Sequence, residues 1–169
     1  WSDSPDRGLY KTTDGGKTWD LALKGTNLSR GCSTIALDPS DANIVFAGMW
    51  DFRRKGWTFR SGGDGPTQPS GSGLFRSADG GTTWKHMGLT KSYHINRIVI
   101  DPDDNNVVLV AATGALFGPG GERGVYKTTD GGTSWKQVLK VDDMTGANDL
   151  VMAASDHKTL YASTYQRQR

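Results

Sequence analysis

The sequence predicts an all-β chain built from repeated four-stranded antiparallel units, and three observations carry that prediction. An eight-residue phrase is written three times, as Thr12-Thr13-Asp14-Gly15-Gly16-Lys17-Thr18-Trp19, Ser77-Ala78-Asp79-Gly80-Gly81-Thr82-Thr83-Trp84 and Thr128-Thr129-Asp130-Gly131-Gly132-Thr133-Ser134-Trp135. Each copy follows a short aromatic and cationic run: Leu9-Tyr10-Lys11, Leu74-Phe75-Arg76 or Val125-Tyr126-Lys127. Finally, 23 of the 169 residues are glycine, and short β-branched and aromatic runs alternate with turn residues without a sustained helical period.

The octet reads as a tight hairpin. Asp-Gly between strand-like residues is a strong turn signal, because glycine takes positive φ freely and the Asp carboxylate accepts hydrogen bonds from nearby backbone N–H groups. The Thr or Ser before the Trp offers a hydroxyl to that carboxylate. The Trp ring is large enough to pack over the turn and staple the hairpin to its sheet. On this reading Asp14, Trp19, Asp79, Trp84, Asp130 and Trp135 are structural.

A second marker falls between the octets. Ile35-Ala36-Leu37-Asp38-Pro39 leads to Ile44-Val45-Phe46-Ala47, and Ile98-Val99-Ile100-Asp101-Pro102 leads to Val107-Val108-Leu109-Val110. A third copy without Asp-Pro, Leu150-Val151-Met152-Ala153-Ala154, leads to Thr159-Leu160-Tyr161-Ala162. Each unit therefore has strands A and B around the Asp-Pro turn, and C and D around the octet. Residues 1–24 supply strands C and D of a half unit, 31–90 a full long unit, 93–140 a full short unit and 147–165 strands A and B of another. Four-stranded sheets recurring at about 50 residues are the signature of β-propeller blades. The expected architecture is a partial β-propeller of about three blade equivalents. The chain opens without Met and stops just after a strand, so it is expected to be a piece of a longer propeller whose open edges are covered by further sequence or by a partner chain.

Composition excludes several functions. The net charge is +2 and both signs are mixed along the chain, which argues against nucleic acid. No apolar run reaches the roughly 18 residues of a membrane span. The lone Cys32 reads as a small packed thiol. No metal is expected: His86, His94 and His157 are dispersed, and Asp101-Pro102-Asp103-Asp104-Asn105-Asn106 begins like a calcium loop but lacks its central Gly and has Ala112 at the twelfth position. No cofactor is expected either, since Gly118-Pro119-Gly120-Gly121-Glu122-Arg123-Gly124 lacks the Gly-Lys-Ser/Thr of a phosphate loop.

All three octets fit the pattern Ser/Thr-x-Asp-x-Gly-x-Thr-Trp, with Ser134 the one departure, and so resemble the Asp-box or bacterial neuraminidase (BNR) repeat. The resemblance covers essentially the whole chain. The superfamily includes sialidases, xyloglucan-cleaving glycoside hydrolases and the sortilin ectodomain. Leu116-Phe117-Gly118-Pro119 and Tyr165-Gln166-Arg167-Gln168-Arg169 are similar to phrases in large secreted bacterial proteins labelled BNR-repeat glycosyl hydrolase-like or sortilin-like. The resemblance implies a secreted or cell-surface protein whose fold hosts enzymes and pure binders alike.

Strand order separates the two ends of the blades. A–B and C–D turns share one end, and B–C and D–A connections share the other, where sialidase-like sites of the superfamily lie. The long B–C insertion, residues 50–60, carries Arg53, Arg54, Trp57 and Arg60, a set suited to stacking on a sugar or peptide face and gripping a carboxylate or phosphate. The competing reading is a loop packed over its own aromatics with solvated cations. Thr34, Arg97 and Asp149 are equivalent in the repeats, so Arg97 and Asp149 either pair with each other or meet a ligand.

Glycoside hydrolysis normally uses two carboxyl groups, one of which sialidases replace with Tyr. Glu122 is the sole glutamate, so catalytic groups would be Asp142, Asp143 or Asp149, or lie on blades outside this chain. The Arg-Ile-Pro motif of sialidases is absent. The expected function is therefore a binding or scaffold module for glycan or protein ligands, with a sialidase- or xyloglucanase-like glycoside hydrolase as the alternative.

Overall fold

The computed structural model describes residues 4–55, 58–61, 71–116 and 118–166, with backbone alone for 53–55 and 58–61. Among these residues the regular elements are all strands, save one 3-10 turn at Thr90–Ser92. The first sheet pairs β1 (Gly8–Lys11) with β2 (Asp20–Lys24). The second contains β3 (Arg30–Leu37), β4 (Val45–Lys55), β5 (Thr58–Ser61), β6 (Gly73–Ser77) and β7 (Lys85–His86), ordered β3-β4-β6-β7 with β5 paired to the far part of β4. The third runs β8 (Ile95–Ile100), β9 (Val108–Ala112), β10 (Gly124–Thr128) and β11 (Lys136–Leu139) in chain order. The fourth pairs β12 (Thr145–Ala153) with β13 (Asp156–Gln166). Every pairing is antiparallel, giving the expected all-β array of propeller blades.

The apolar pattern explains why the sheets stack. In β9 the side chains alternate between two cores: Val108 and Val110 join Phe46, Leu74, Ile95 and Ile98 toward the second sheet, while Leu109 and Ala111 join Val125, Ala147 and Leu150 toward the fourth. With both faces covered, all five residues of β9 are buried, and the strand reads as the continuous apolar run Val-Leu-Val-Ala-Ala. A third core packs Leu9 and Leu23 of the first sheet on Ala47, Met49 and Phe75 of the second. Each large side chain so buried contributes about 1.5–3 kcal/mol.

The hairpins follow from the Gly-Gly pair. Gly80 and Gly81 have φ of 67° and 91°, and the other two copies match them, so both glycines take the left-handed conformation that only glycine adopts freely within the loop 78–84 joining β6 to β7. Gly80 N–H donates to Asn43 O and Gly131 N–H to Asn106 O, which seats each of these hairpins on the A–B turn of its own sheet. Boxes and Asp-Pro turns thus share one end of the array.

The insertion differs from the expected loop. β4 continues past the sheet to Lys55 and folds back onto β5, with Phe52 opposite Ser61 and Arg53 opposite Arg60. Aromatic and β-branched residues at 50, 52, 58 and 59 carry the strand pattern onward, and charged residues mark its free edge.

Candidate functional site

At the box end, one carboxylate organises each turn. Asp79 accepts bonds from the hydroxyls of Ser77 (2.7 Å) and Thr83 (2.5 Å) and from the N–H of Thr83 (2.8 Å), while Gly81 N–H donates to Ser77 Oγ (2.8 Å). Asp14 and Asp130 repeat this arrangement with Thr12 and Thr18, and with Thr128 and Ser134. These bonds favour the ionised form, and the Thr83 hydroxyl above all pulls Asp79 down to about 2. Asp14 and Asp130 are held well below the usual carboxylate range, chiefly by the Thr18 and Ser134 hydroxyls.

A folded-state pKa below the ordinary value means stability that is present above about pH 4 and lost as the pH falls toward 2. Acid melts should therefore show the wild type losing midpoint steeply across that window and Asp79→Asn losing less. Parallel acid profiles would remove the carboxylate from this role.

The box tryptophans lie over their own turns as expected and also reach the preceding sheet. Trp84 Nε1 is shared between Gly81 O of its own turn and Ala22 O in β2 (both 3.0 Å), and Trp135 Nε1 donates to Met87 O just beyond β7 (2.8 Å), so each ring also ties its hairpin to the sheet before its own. Trp19 has no described sheet before it, bonds Gly16 O at 3.2 Å and is 58% exposed.

The opposite end is built differently. Asp51 in β4 is fully buried and accepts bonds from Asn27 Nδ2 (2.7 Å), Ser29 Oγ (2.5 Å) and Gly71 N–H (3.2 Å). Arg30 lies beside it, donating to Lys24 O and Gly71 O and packing over the Phe75 ring. Burial depresses the Arg30 pKa and the Asp51 charge opposes that shift. Trp50 stacks on His94 of the third sheet at 4.1 Å and tilts against Phe52 at 4.7 Å. Residues 50–52 are thus the rigid foot of the insertion. Arg53, Arg54 and Arg60 sit above this foot on the paired strands; their side chains, and Trp57 entirely, lie outside the described residues.

Arg97 and Asp149 do meet. Arg97 Nε is 2.8 Å from Asp149 Oδ1, which also accepts Leu150 N–H at 2.9 Å, and both side chains are about half exposed. The hydrogen bond raises the Arg97 pKa and lowers that of Asp149. Arg97 also borders a groove of about 540 Å³ along β3, β8 and β12, floored by Leu37, Ile98, Val99 and Val151.

A bulge in each of these inner strands gave no clear sequence signal beyond one polar residue interrupting the apolar alternation. The register slips at Ser33, Asn96 and Asn148. Ser33 Oγ donates to Ile95 O, and Asn96 Nδ2 to Ala147 O, so these two bulge side chains tie their strands to the next inner strand. Thr34, Arg97 and Asp149 each follow a bulge, which is why they occupy matching places.

Arg123 was likewise missed. It is buried and donates to the carbonyls of Thr113, Ala115, Gly118, Gly120 and Met144, gathering the B–C and D–A connections into one knot. Burial lowers its pKa, with Asp142 and Asp143 opposing. Cys32 is half-buried, with its thiol pushed up to about 11 by burial, so it is packed rather than nucleophilic.

As for acid chemistry, the displaced carboxyls among the described residues, Asp14, Asp38, Asp79, Asp130, Asp142, Asp149 and Asp156, are all displaced downward. A general acid for glycoside cleavage needs the opposite shift.

Comparison with known proteins agrees with this geometry. Residues 10–21 match the BNR/Asp-box repeat. The chain thus carries an Asp-box repeat on an all-β fold like that of β-propellers. It is 28% identical over 116 residues to a xyloglucanase of Hypocrea jecorina, covering 64% of this chain and 12% of that protein. It is also 28% identical over 145 residues to the xyloglucanase Xgh74A of Acetivibrio thermocellus, covering 78% of this chain and 15% of that protein. The chain therefore spans a small part of the length of these relatives. Among solved structures, an ancestral GH74 enzyme superposes with a TM-score of 0.61 at 20% identity over 99% of this chain and 22% of its own. The GH74 xyloglucanase of Xanthomonas campestris gives 0.56 at 16% identity, over 96% of this chain and 25% of its own. These superpositions speak to the fold.

Proposed function

We propose that this chain is a segment of an extracytoplasmic glycan-handling propeller and that it supplies binding surface rather than the hydrolytic carboxylates. The observation that carries the reading is the sequence likeness to xyloglucanases, and the shifted carboxyls among the described residues are all pulled toward the ionised form by local hydrogen bonds, not raised as a general acid would be. Residues 31–90 and 93–140 serve as full blades and 1–24 and 147–165 as half blades. Exposed Ile35 in β3 and Tyr161 in β13 lie on faces that neighbouring blades would cover.

The binding surface lies at the end away from the boxes, where the insertion carrying Arg53, Arg54, Trp57 and Arg60 continues from the Asp51 foot, and where Arg97, paired with Asp149, borders the inner groove. The test is calorimetric titration of the full-length protein with xyloglucan oligosaccharides. Arg53→Ala with Arg54→Ala should weaken binding about tenfold or more, because one charge-assisted contact is worth about 1.5–3 kcal/mol, while the melting temperature stays put. Unchanged affinity after that double substitution, or affinity lost through surface changes around the boxes, would place the site elsewhere.

A second reading, a glycoside hydrolase with its carboxylates on other blades, is favoured by the names of the relatives. A reducing-sugar assay separates the two: hydrolysis that survives Asp142→Asn, Asp143→Asn and Asp149→Asn supports catalytic groups outside this chain, and hydrolysis abolished by any one of them contradicts the binding-surface assignment.

A further inference from the structure

The A–B turns of the second and third sheets align residue by residue, and so do those of the third and fourth, yet their chemistry differs. At the first junction Ser40 Oγ donates to Asp38 Oδ1 at 2.7 Å, and the Asn105 amide of the following sheet lies near enough to help lower the Asp38 pKa. At the second junction Asp101 takes the place of Asp38, Asp103 the place of Ser40, and His157 of the fourth sheet the place of Asn105. Two neutral groups have become a carboxylate and an imidazole.

The result is a convergence of donors. His157 Nδ1 is 2.7 Å from Asp103 Oδ2 and 3.6 Å from Asp101 Oδ1, and the three donor atoms all lie within 4.8 Å of one another. One ring nitrogen has a single proton to give, so hydrogen bonding serves one carboxylate and leaves the other facing both a like charge and the same nitrogen. A divalent cation would bond all three at once. Donors about 2.0–2.2 Å from a tetrahedral ion stand about 3.3–3.6 Å apart, within the range of the two nitrogen-to-oxygen distances of 2.7 and 3.6 Å.

We propose that Asp101, Asp103 and His157 form a divalent transition-metal site that clips the third sheet to the fourth. One imidazole with two carboxylates suits Zn²⁺ or its borderline neighbours such as Co²⁺ better than Mg²⁺, which prefers an all-oxygen shell. Three protein ligands leave a coordination position for water, and Asp103 is the most exposed of the three. Dispersed histidines hid the site from the sequence, because its ligands come from two turns in different repeats. His86 and His94 take no part: they pack on Phe75 and Trp50.

The test uses metal-free full-length protein and a control that keeps the turn chemistry of the other junction, Asp103→Ser combined with His157→Asn. Zn²⁺ titrated calorimetrically should load one more ion per chain in the wild type than in the double variant. It should raise the melting temperature of the wild type by several degrees more, since an ion bound to the folded state stabilises it. Co²⁺ should give visible absorption bands in the wild type that the double variant lacks. Equal stoichiometry and equal Co²⁺ spectra in the two proteins would overturn the site, as would displacement of the ion by equimolar Mg²⁺. Glycan binding is read separately, so the outcome does not depend on the proposed function.

Discussion

Asp51→Ala is expected to lower stability by about 3–5 kcal/mol, the cost of removing one partner from a buried charged arrangement. The substitution strips the acceptor from Asn27 Nδ2, Ser29 Oγ and Gly71 N–H. It also leaves the buried Arg30 guanidinium without the nearby negative charge that opposes its desolvation. Asp51→Asn retains an acceptor of similar shape and should lie between wild type and Ala. Denaturant melts of the three proteins measure the series. A loss below about 1 kcal/mol for Ala would mean that water enters and rescues the donors, and the foot of the insertion would not be the rigid platform described here. Because Asp51 immediately precedes Phe52 and Arg53, the same variant should weaken any ligand held by the insertion more than a melting shift alone explains.

Trp135→Ala is expected to cost about 3 kcal/mol, whereas Trp19→Ala should cost under about 1 kcal/mol, although both belong to the same repeated phrase. The contrast comes from position. The Trp135 ring packs against the core shared by the second and third sheets and donates to Met87 O, while Trp19 is mostly exposed. Trp135→Phe keeps most of the ring and drops the donor, so it should lose about 0.5–1.5 kcal/mol. Equal losses at positions 19 and 135 would show that the ring stabilises its own turn rather than the junction between sheets.

The elements legible in the sequence were those whose cause is local. An octet with Asp, two glycines, a hydroxyl and Trp closes its own hydrogen bonds within a span of eight residues, so each hairpin could be read directly from the letters. The alternation in β3, β8 and β12 and the continuous apolar run of β9 likewise state which faces are covered, because strand side chains alternate with a period of two. Opposite ends for boxes and insertion followed from strand order alone. The insertion was read as a loop because its strand pattern is short and charged, and pairing with β5 was what made it a hairpin.

What only the tertiary structure decided is how one repeat meets the next. The letters around Trp84 do not say that its indole reaches Ala22, nor do those around Asp51 say that Asn27, Ser29 and Gly71 converge on it. His157 and Asp101 belong to different repeats, and no spacing rule within either repeat connects them. The physical reason is that local sequence sets backbone turns and face polarity, whereas the relative placement of stacked sheets is set by packing of side chains from distant segments. A carboxylate, an arginine or a histidine at such a junction acquires its role from neighbours supplied by that packing.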